Sequence, residues 1–160
     1  MAPHTRTPAP DISVRPVEAE DRDAWLAMRT ALWPEGPASE HRAEIEAFLA
    51  DPAPSRPAAV LVAEDAAGTV IGFVELAIRP YAEGCVTDRI AYLEGWYVVE
   101  ARRGAGVGRA LVLASEAWGR GQECTEFASD ADPENRPSLA AHRALGFADA
   151  GLIRCFHKRL

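Results

Sequence analysis

A chain of 160 residues has the length of one domain, and an apolar content of 48% is sufficient to fill one hydrophobic core. The formal net charge of −7 disfavours binding to nucleic acids and to anionic membrane surfaces, and it favours cationic partners. No apolar run approaches the ~20 residues that a membrane-spanning helix requires. These properties predict a domain that binds neither nucleic acid nor membrane.

Residues 1–10 contain three prolines and no Val, Ile, Leu or aromatic side chain. This composition predicts a disordered tail rather than a signal peptide, followed by a single domain over residues 11–160. The three cysteines, Cys85, Cys124 and Cys155, are an odd number and form no CxxC pair. A reduced cytoplasmic protein without a structural metal is the simplest interpretation.

The N-terminal third of the chain predicts one strand and two helices. Residues 12–16 alternate apolar and polar side chains, as a half-buried strand does. Residues 19–33 place their apolar side chains at helical spacing. A second helix is expected to begin after the Pro/Gly segment that follows, near Ser39, which can cap it.

Three strands are predicted in the middle of the chain. Residues 58–64 and 69–79 are rich in Val and Ile, and residues 65–68 between them are typical of a hairpin turn. These two strands should therefore pair antiparallel. Residues 90–99 are almost continuously apolar or aromatic, which predicts a strand buried on both faces in the middle of a sheet.

The last third of the chain alternates helices with strands. The pattern predicts a helix over residues 107–118, a strand over 124–129, a helix over 138–145 and a final strand over 152–158. The order is therefore strand, two helices, three strands, helix, strand, helix, strand. Hairpin-linked strands followed by helix-linked strands predict an α/β fold with one mixed sheet and helices on both of its faces.

A glycine-rich segment lies between the buried strand and the helix that follows it. Gly104, Gly106 and Gly108 leave backbone N–H groups accessible to a ligand at the start of a helix, and Arg103 and Arg109 add positive charge. The segment therefore predicts a phosphate site. A P-loop would need Lys and then Ser or Thr after its last glycine, and a GxGxxG dinucleotide motif would need glycine at position 109.

The same segment resembles the acetyl-CoA-binding motif of the GCN5-related N-acetyltransferases, in which an (Arg/Gln)-x-x-Gly-x-(Gly/Ala) loop holds the coenzyme pyrophosphate. Arg103, Gly106 and Gly108 match its fixed positions. The later segment from Asn135 to Phe147 is also similar to this family. The resemblance implies acetyl-CoA as co-substrate. The coenzyme site that it implies consists of Tyr97, Val98, Arg103, Gly104, Ala105, Gly106, Val107, Gly108, Arg109 and Asn135.

Acetyl transfer to an amine needs a base, hydrogen-bond donors for the thioester oxygen and a proton for the departing thiolate. The resemblance implies that backbone N–H groups near Tyr97 and Val98 meet the oxygen. Glu94 is the only charged residue of its strand, and Asp130 ends the neighbouring strand, so both are candidates for the base. Their alternative roles are an arginine salt bridge for Glu94 and a loop cap for Asp130.

His142 is the candidate acid. It stands where many members of the family have the tyrosine that protonates the coenzyme thiolate, and an imidazole can carry a proton near neutral pH. Packing of the histidine ring against Phe147 is the alternative.

Five segments in chain order resemble the aminoglycoside 6'-N-acetyltransferases, in which histidine at this position is usual. They are residues 29–34, 93–95, 126–130, 133–135 and 142–147. The resemblance implies a homodimer and an aminoglycoside cleft lined by Trp33, Tyr81, Glu94 and Asp130. Carboxylates and aromatic faces suit a ligand that carries several ammonium groups.

Two other functions remain open from the sequence. The acceptor can be another amine, such as a polyamine, an amino sugar or a protein N-terminus. Alternatively, the chain can be a coenzyme-binding module without turnover, although the presence of Glu94, Asp130 and His142 argues against this.

Overall fold

The computed structural model describes residues 11–51 and 57–160. The predicted disordered tail, residues 1–10, lies outside these ranges. The described elements, in chain order, are β1 (Ser13–Pro16), α1 (Arg22–Leu32), α2 (Ala38–Ala50), β2 (Ala59–Glu64), β3 (Val70–Arg79), β4 (Ile90–Val98), α3 (Val107–Gly121), β5 (Glu126–Ser129) and α4 (Arg136–Ala144). Short 3₁₀ turns, Ala19–Asp21 and Glu100–Arg102, precede α1 and follow β4.

The strands form one five-stranded sheet in the order β1-β2-β3-β4-β5. Neighbouring strands are antiparallel from β1 to β4, and β5 is parallel to β4, so the prediction of a mixed sheet is confirmed. The β5 strand pairs with β4 only over Ile90–Leu93, whereas β3 pairs with β4 as far as Val98. The second half of β4 therefore has one edge that β5 does not cover.

Helices cover both faces of the sheet, as the sequence predicts. Because side chains alternate along a strand, β2 and β3 supply apolar residues to both faces. The cluster under α3 includes Leu61, Val74, Leu76, Leu93, Val107 and Leu111. The cluster under α1 and α2 includes Trp25, Met28, Ile45, Phe48, Val62 and Phe73.

A carboxylate is buried within the second of these clusters. Glu75 of β3 is 3% exposed and accepts hydrogen bonds from Trp25 Nε1 at 3.0 Å and from Arg29 Nε at 2.8 Å. Arg29 also lies 3.1 Å from His41 Nδ1 and pairs with Glu44. Burial raises the pKa of Glu75, and the Arg29 guanidinium and the Trp25 N–H oppose that rise. The network joins α1 and α2 to the sheet.

The predicted final strand, residues 152–158, is wrong for this structure. Residues 151–160 form neither helix nor strand and are exposed throughout, including Phe156 at 90%. The alternating side chains suit a strand, but a strand needs a neighbouring edge for its backbone hydrogen bonds. None of the described strands of the chain pairs with this segment.

Two other boundaries differ from the prediction by two residues each. The β5 strand begins at Glu126 rather than at residue 124, because the backbone N–H of Cys124 donates to Gly119 and still belongs to the end of α3. The α4 helix begins at Arg136 rather than at Ser138, because the Asn135 side chain accepts the Ser138 N–H and caps the helix.

Arg29→Met should lower the free energy of unfolding by about 3–5 kcal/mol, because Glu75 would remain buried without its cation. Arg22→Met on the same helix is the control. It removes a 3.0 Å ion pair with Glu46 whose side chains are 41% and 48% exposed. We expect that loss to cost less than about 1 kcal/mol. Urea unfolding followed by circular dichroism measures both, and equal losses would contradict a central role for the Glu75 network.

Candidate active site

The glycine-rich segment forms an open loop that ends at the first turn of α3. Gly104 and Gly106 have φ values of 76° and 89°, and a Cβ atom at either position would meet no heavy atom within 4 Å. Gly106 is the N-cap of α3, and its carbonyl accepts from the N–H of Ala110. The N–H groups of residues 107–109, in the first turn of α3, have no acceptor within the helix. The loop therefore offers free donors and the positive end of a helix dipole to an anion.

Glycine is needed at position 108 for a different reason from that at positions 104 and 106. A Cβ atom at this position would lie 2.9 Å from the ring of Trp96. Glycine thus allows the first turn of α3 to approach β4, while Val107 and Leu111 anchor the same helix in the core. The third glycine therefore allows the first turn of α3 to pack closely against the strand.

The arginines of the loop point in different directions. Arg103 Nε donates to the carbonyl of Val98 at 2.9 Å, and its guanidinium lies 5.4 Å from the centroid of the Tyr97 ring. Arg102 pairs with Asp65 in the β2–β3 turn at 2.6 Å. Arg109 is exposed in the first turn of α3. Arg103 therefore precedes the open loop in the chain, and Arg109 follows it.

The uncovered edge of β4 carries the backbone of Val98. The N–H of Val99 donates to Ile71 of β3, so the alternation of a strand directs the N–H and C=O of Val98 to the opposite edge. The hydrogen bond from Arg103 to the Val98 carbonyl agrees with this direction. Tyr97 turns its backbone groups towards β3. Of the two predicted donors for the thioester oxygen, the geometry favours Val98.

A register shift in β4 sets the position of Glu94. Glu75 pairs with Gly95, and Leu76 pairs with Leu93, so Glu94 is the extra residue of a β-bulge. Its carboxylate accepts from Arg79 Nε at 2.9 Å and from Arg79 Nη2 at 2.6 Å. The salt bridge to an arginine, one of the two roles that the sequence left open for Glu94, is thus present.

Asp130 is connected to Glu94 through two further side chains. The Tyr92 hydroxyl donates to Asp130 Oδ2 at 2.8 Å, and the Arg79 guanidinium lies 3.5 Å from the centroid of the Tyr92 ring. Burial raises the pKa of Tyr92, and the hydrogen bond to Asp130 raises it further, so the phenol stays protonated as a donor. The structure therefore brings both predicted carboxylates into one cluster.

The sequence interpretation missed Arg79 and Tyr92. A signal for Arg79 was available, because it ends a strand predicted beside the strand of Glu94, and opposite charges often pair across neighbouring strands. Tyr92 lies two residues before Glu94 and was included only as part of an apolar strand.

Trp33 lies against the bulge from the side of α1. A Cβ atom on Gly95 would lie 2.7 Å from the Trp33 ring, so only glycine accommodates this contact. His41 stacks on Trp33 at 6.4 Å between ring centroids, and its Nε2 lies 3.0 Å from the Trp33 carbonyl. Because His41 also contacts Arg29, the Glu75 network holds Trp33 in place. Tyr81 follows β3 and is 67% exposed.

His142 of α4 is packed and hydrogen-bonded. Its ring contacts Trp96 and Phe147 edge-on, at 5.2 and 5.1 Å between centroids, so the packing role is present. Its Nδ1 lies 2.8 Å from the Ser138 carbonyl, an acceptor, so Nδ1 carries a proton. Its Nε2 lies 2.9 Å from the hydroxyl of Ser129, a contact that the sequence interpretation missed.

Comparison with known proteins identifies the family. A family model described as the acetyltransferase (GNAT) family matches residues 25–147. The chain belongs to the acetyltransferase (GNAT) family. A relative from Klebsiella aerogenes named aminoglycoside N(6')-acetyltransferase type 1 is 53% identical over 147 residues, 92% of this chain and 96% of its own. A relative of the same name from Serratia marcescens is 39% identical over 142 residues, 88% of this chain and 94% of its own.

Solved GNAT structures agree with this assignment. The aminoglycoside acetyltransferase AAC(6')-Iy, in complex with a coenzyme A bisubstrate analogue, has a TM-score of 0.84 and 33% identity, covering 93% of this chain and 99% of its own. AAC(6')-IG from Acinetobacter haemolyticus has a TM-score of 0.82 and 34% identity, with coverages of 92% and 99%. The predicted fold class and acetyl-CoA as the co-substrate are confirmed.

No helix in the described part of the chain is long and apolar enough to cross a membrane. Among the described residues, no group of three or more His, Cys, Asp or Glu side chains is arranged to hold a metal ion.

Gly104→Ala should weaken coenzyme A binding by about 10-fold, because a left-handed alanine costs about 1–2 kcal/mol and binding requires that loop conformation. Gly68→Ala is the matched control, since Gly68 has the same φ of 76° and equally open surroundings in the β2–β3 turn. Isothermal titration calorimetry with coenzyme A compares them. An equal loss of affinity in both variants would contradict a coenzyme site at the loop.

Proposed function

We propose that this chain transfers the acetyl group of acetyl-CoA to the 6'-amino group of aminoglycosides and thereby confers resistance, because the amide formed has no positive charge. The main observation behind this proposal is the position of the Glu94 and Asp130 cluster. It lies where pairing between β4 and β5 ends, and β4 leads directly from there into the coenzyme loop. Relatives of this name that align over 92% of the chain support the same acceptor.

The coenzyme side of the site acts through backbone groups. The N–H groups at the start of α3 bind the pyrophosphate, with positive charge from Arg103 and Arg109 on either side. Val98 directs its N–H into the gap beside β4, where it can donate to the thioester oxygen as negative charge develops there. Asn135 remains a proposed coenzyme contact at the N-terminus of α4.

The acceptor side acts through charge and aromatic faces. Asp130 is exposed, receives one hydrogen bond from Tyr92 and has carboxylate capacity left for an ammonium group. We assign it as the base that takes the proton from the reactive amine, with Glu94 as a second carboxylate of the cleft. Trp33 and Tyr81 offer faces to the sugar rings.

His142 supplies the proton for the departing thiolate in this proposal. Its Nε2 is within hydrogen-bond distance of the Ser129 hydroxyl, which lies next to Asp130 at the end of β5. A proton held on the imidazole can therefore reach the site through that hydroxyl. The Ser138 carbonyl keeps Nδ1 protonated and leaves Nε2 as the exchanging nitrogen.

Neomycin and paromomycin differ only in carrying an amine or a hydroxyl at the 6' position, so they are a matched acceptor pair. We expect thiol release from acetyl-CoA with neomycin and none above background with paromomycin. Equal release with both would assign acetylation to another position. Thiol release with polyamines or peptides alone would favour another acceptor, and coenzyme binding without any thiol release would favour the non-catalytic module.

Asp130→Asn should lower kcat/KM for neomycin by about 10²–10³-fold, because the amide still accepts from Tyr92 but cannot take a proton. Asp132→Asn is the control. Asp132 lies two residues after Asp130, is exposed, and accepts the Glu134 N–H in a turn. Steady-state thiol release measures both variants. Similar losses in the two would contradict the assignment of Asp130 as base.

We also propose that the protein forms a homodimer through its C-terminal segment, residues 151–160. The exposed Leu152 and Phe156 are apolar, and the segment alternates as a strand does. In the described part of the chain, the outer edge of β5 has no partner, and a groove of about 290 Å³ beside it is lined by Phe127 and Phe147. A second copy of the segment supplies both the missing strand and the apolar side chains.

Phe156→Asp should convert the homodimer into a monomer, because a carboxylate would replace the aromatic ring that packs against Phe127 and Phe147 of the groove. Leu113→Asp, on the exposed side of α3, is the control and should leave the dimer intact. Light scattering coupled to size-exclusion chromatography gives the mass. A monomeric wild-type protein, or a dimeric Phe156→Asp variant, would contradict the proposal.

We also propose that the protein is cytoplasmic, because acetyl-CoA is formed there.

A further inference from the structure

Arg79 places a positive charge inside a cleft proposed to bind a polycation. Its guanidinium holds both carboxylate oxygens of Glu94 and stacks at 3.5 Å on Tyr92, whose hydroxyl reaches Asp130. An arginine at this position competes with the acceptor for the same carboxylates. Both side chains of the pair are partly buried, so this is not a fully solvated surface ion pair that serves only to keep the protein soluble.

The geometry keeps the guanidinium in this place. Two parallel hydrogen bonds to one carboxylate and a stacked aromatic ring orient an arginine in a way that a single ion pair does not. Burial lowers the pKa of Arg79, but Glu94 and the nearby Asp130 outweigh burial and raise it overall. Arg79 therefore stays charged.

We propose that Arg79 is a specificity-determining residue, which neutralises Glu94 and leaves Asp130 as the carboxylate that receives the reactive ammonium group. The cleft then carries less negative charge than its two acids imply, and it discriminates against acceptors with many additional amines. This inference rests on the proposed function, because it concerns the acceptor of that reaction.

A purely orienting role for Arg79 makes a different prediction. If Arg79 only held Glu94 in position, its loss would lower kcat for every acceptor to a similar extent, irrespective of their charge. If its charge sets specificity, its loss makes the cleft more negative, and the benefit grows with the number of amines on the acceptor. Measuring KM for acceptors of different charge separates the two roles, and so does the dependence of KM on salt concentration.

The test compares wild type, Arg79→Met and Arg79→Lys with neamine and with neomycin, which has further amines on additional rings. At low ionic strength, Arg79→Met should lower KM about 10-fold for neomycin and about 3-fold for neamine, and high salt should remove this difference. Arg79→Lys keeps the charge and should keep the wild-type ratio of the two KM values, even if its kcat falls. Arg79→Gln replaces Arg79→Met if that variant does not fold.

An unchanged KM ratio in the uncharged variant, or the same change in Arg79→Lys, would overturn the inference. Failure of the proposed function is distinguishable, because the wild-type protein would then acetylate neither acceptor. Thermal unfolding of each variant with coenzyme A bound confirms that the folded protein is compared.

Discussion

The extra residue in β4 is the constraint on which the proposed acceptor cleft depends. Because Glu75 pairs with Gly95 and Leu76 with Leu93, the consecutive residues Glu94 and Gly95 both meet partners on the α1 side of the sheet. Gly95 receives the ring of Trp33, and Glu94 receives Arg79. In a regular strand successive side chains point to opposite faces, so without the bulge these two contacts could not occur on one face.

The bulge also coincides with the end of pairing between β4 and β5. Pairing stops at Leu93 opposite Ser129, immediately before Glu94 and Asp130. From that point β4 has an uncovered edge that leads past Val98 to the glycine loop and the first turn of α3. One strand thus carries the proposed acceptor groups in its middle and the proposed coenzyme groups at its end. The buried Glu75 network supports this arrangement by tying α1 to the strand opposite the bulge.

Features that depend on local pattern could be predicted from the sequence. The glycine loop, the hairpin and the candidate carboxylates were identified because turn residues, strand alternation and a charge in an apolar strand are local signals. The Arg79–Tyr92 contact was missed because it depends on cross-strand register, which a bulge shifts by one residue without changing composition. The final strand, residues 152–158, was predicted from its alternation, but alternation does not say which edge accepts a strand or whether that edge belongs to the same chain.

We propose that coenzyme and aminoglycoside meet across the uncovered edge of β4. A crystal structure of the protein with coenzyme A and neamine tests this most directly. We expect the pyrophosphate to lie on the N–H groups of residues 104–108 and the 6'-nitrogen to lie within hydrogen-bond distance of the Asp130 carboxylate. A 6'-nitrogen directed away from Asp130 and Glu94, or a pyrophosphate bound elsewhere than at the start of α3, would contradict it.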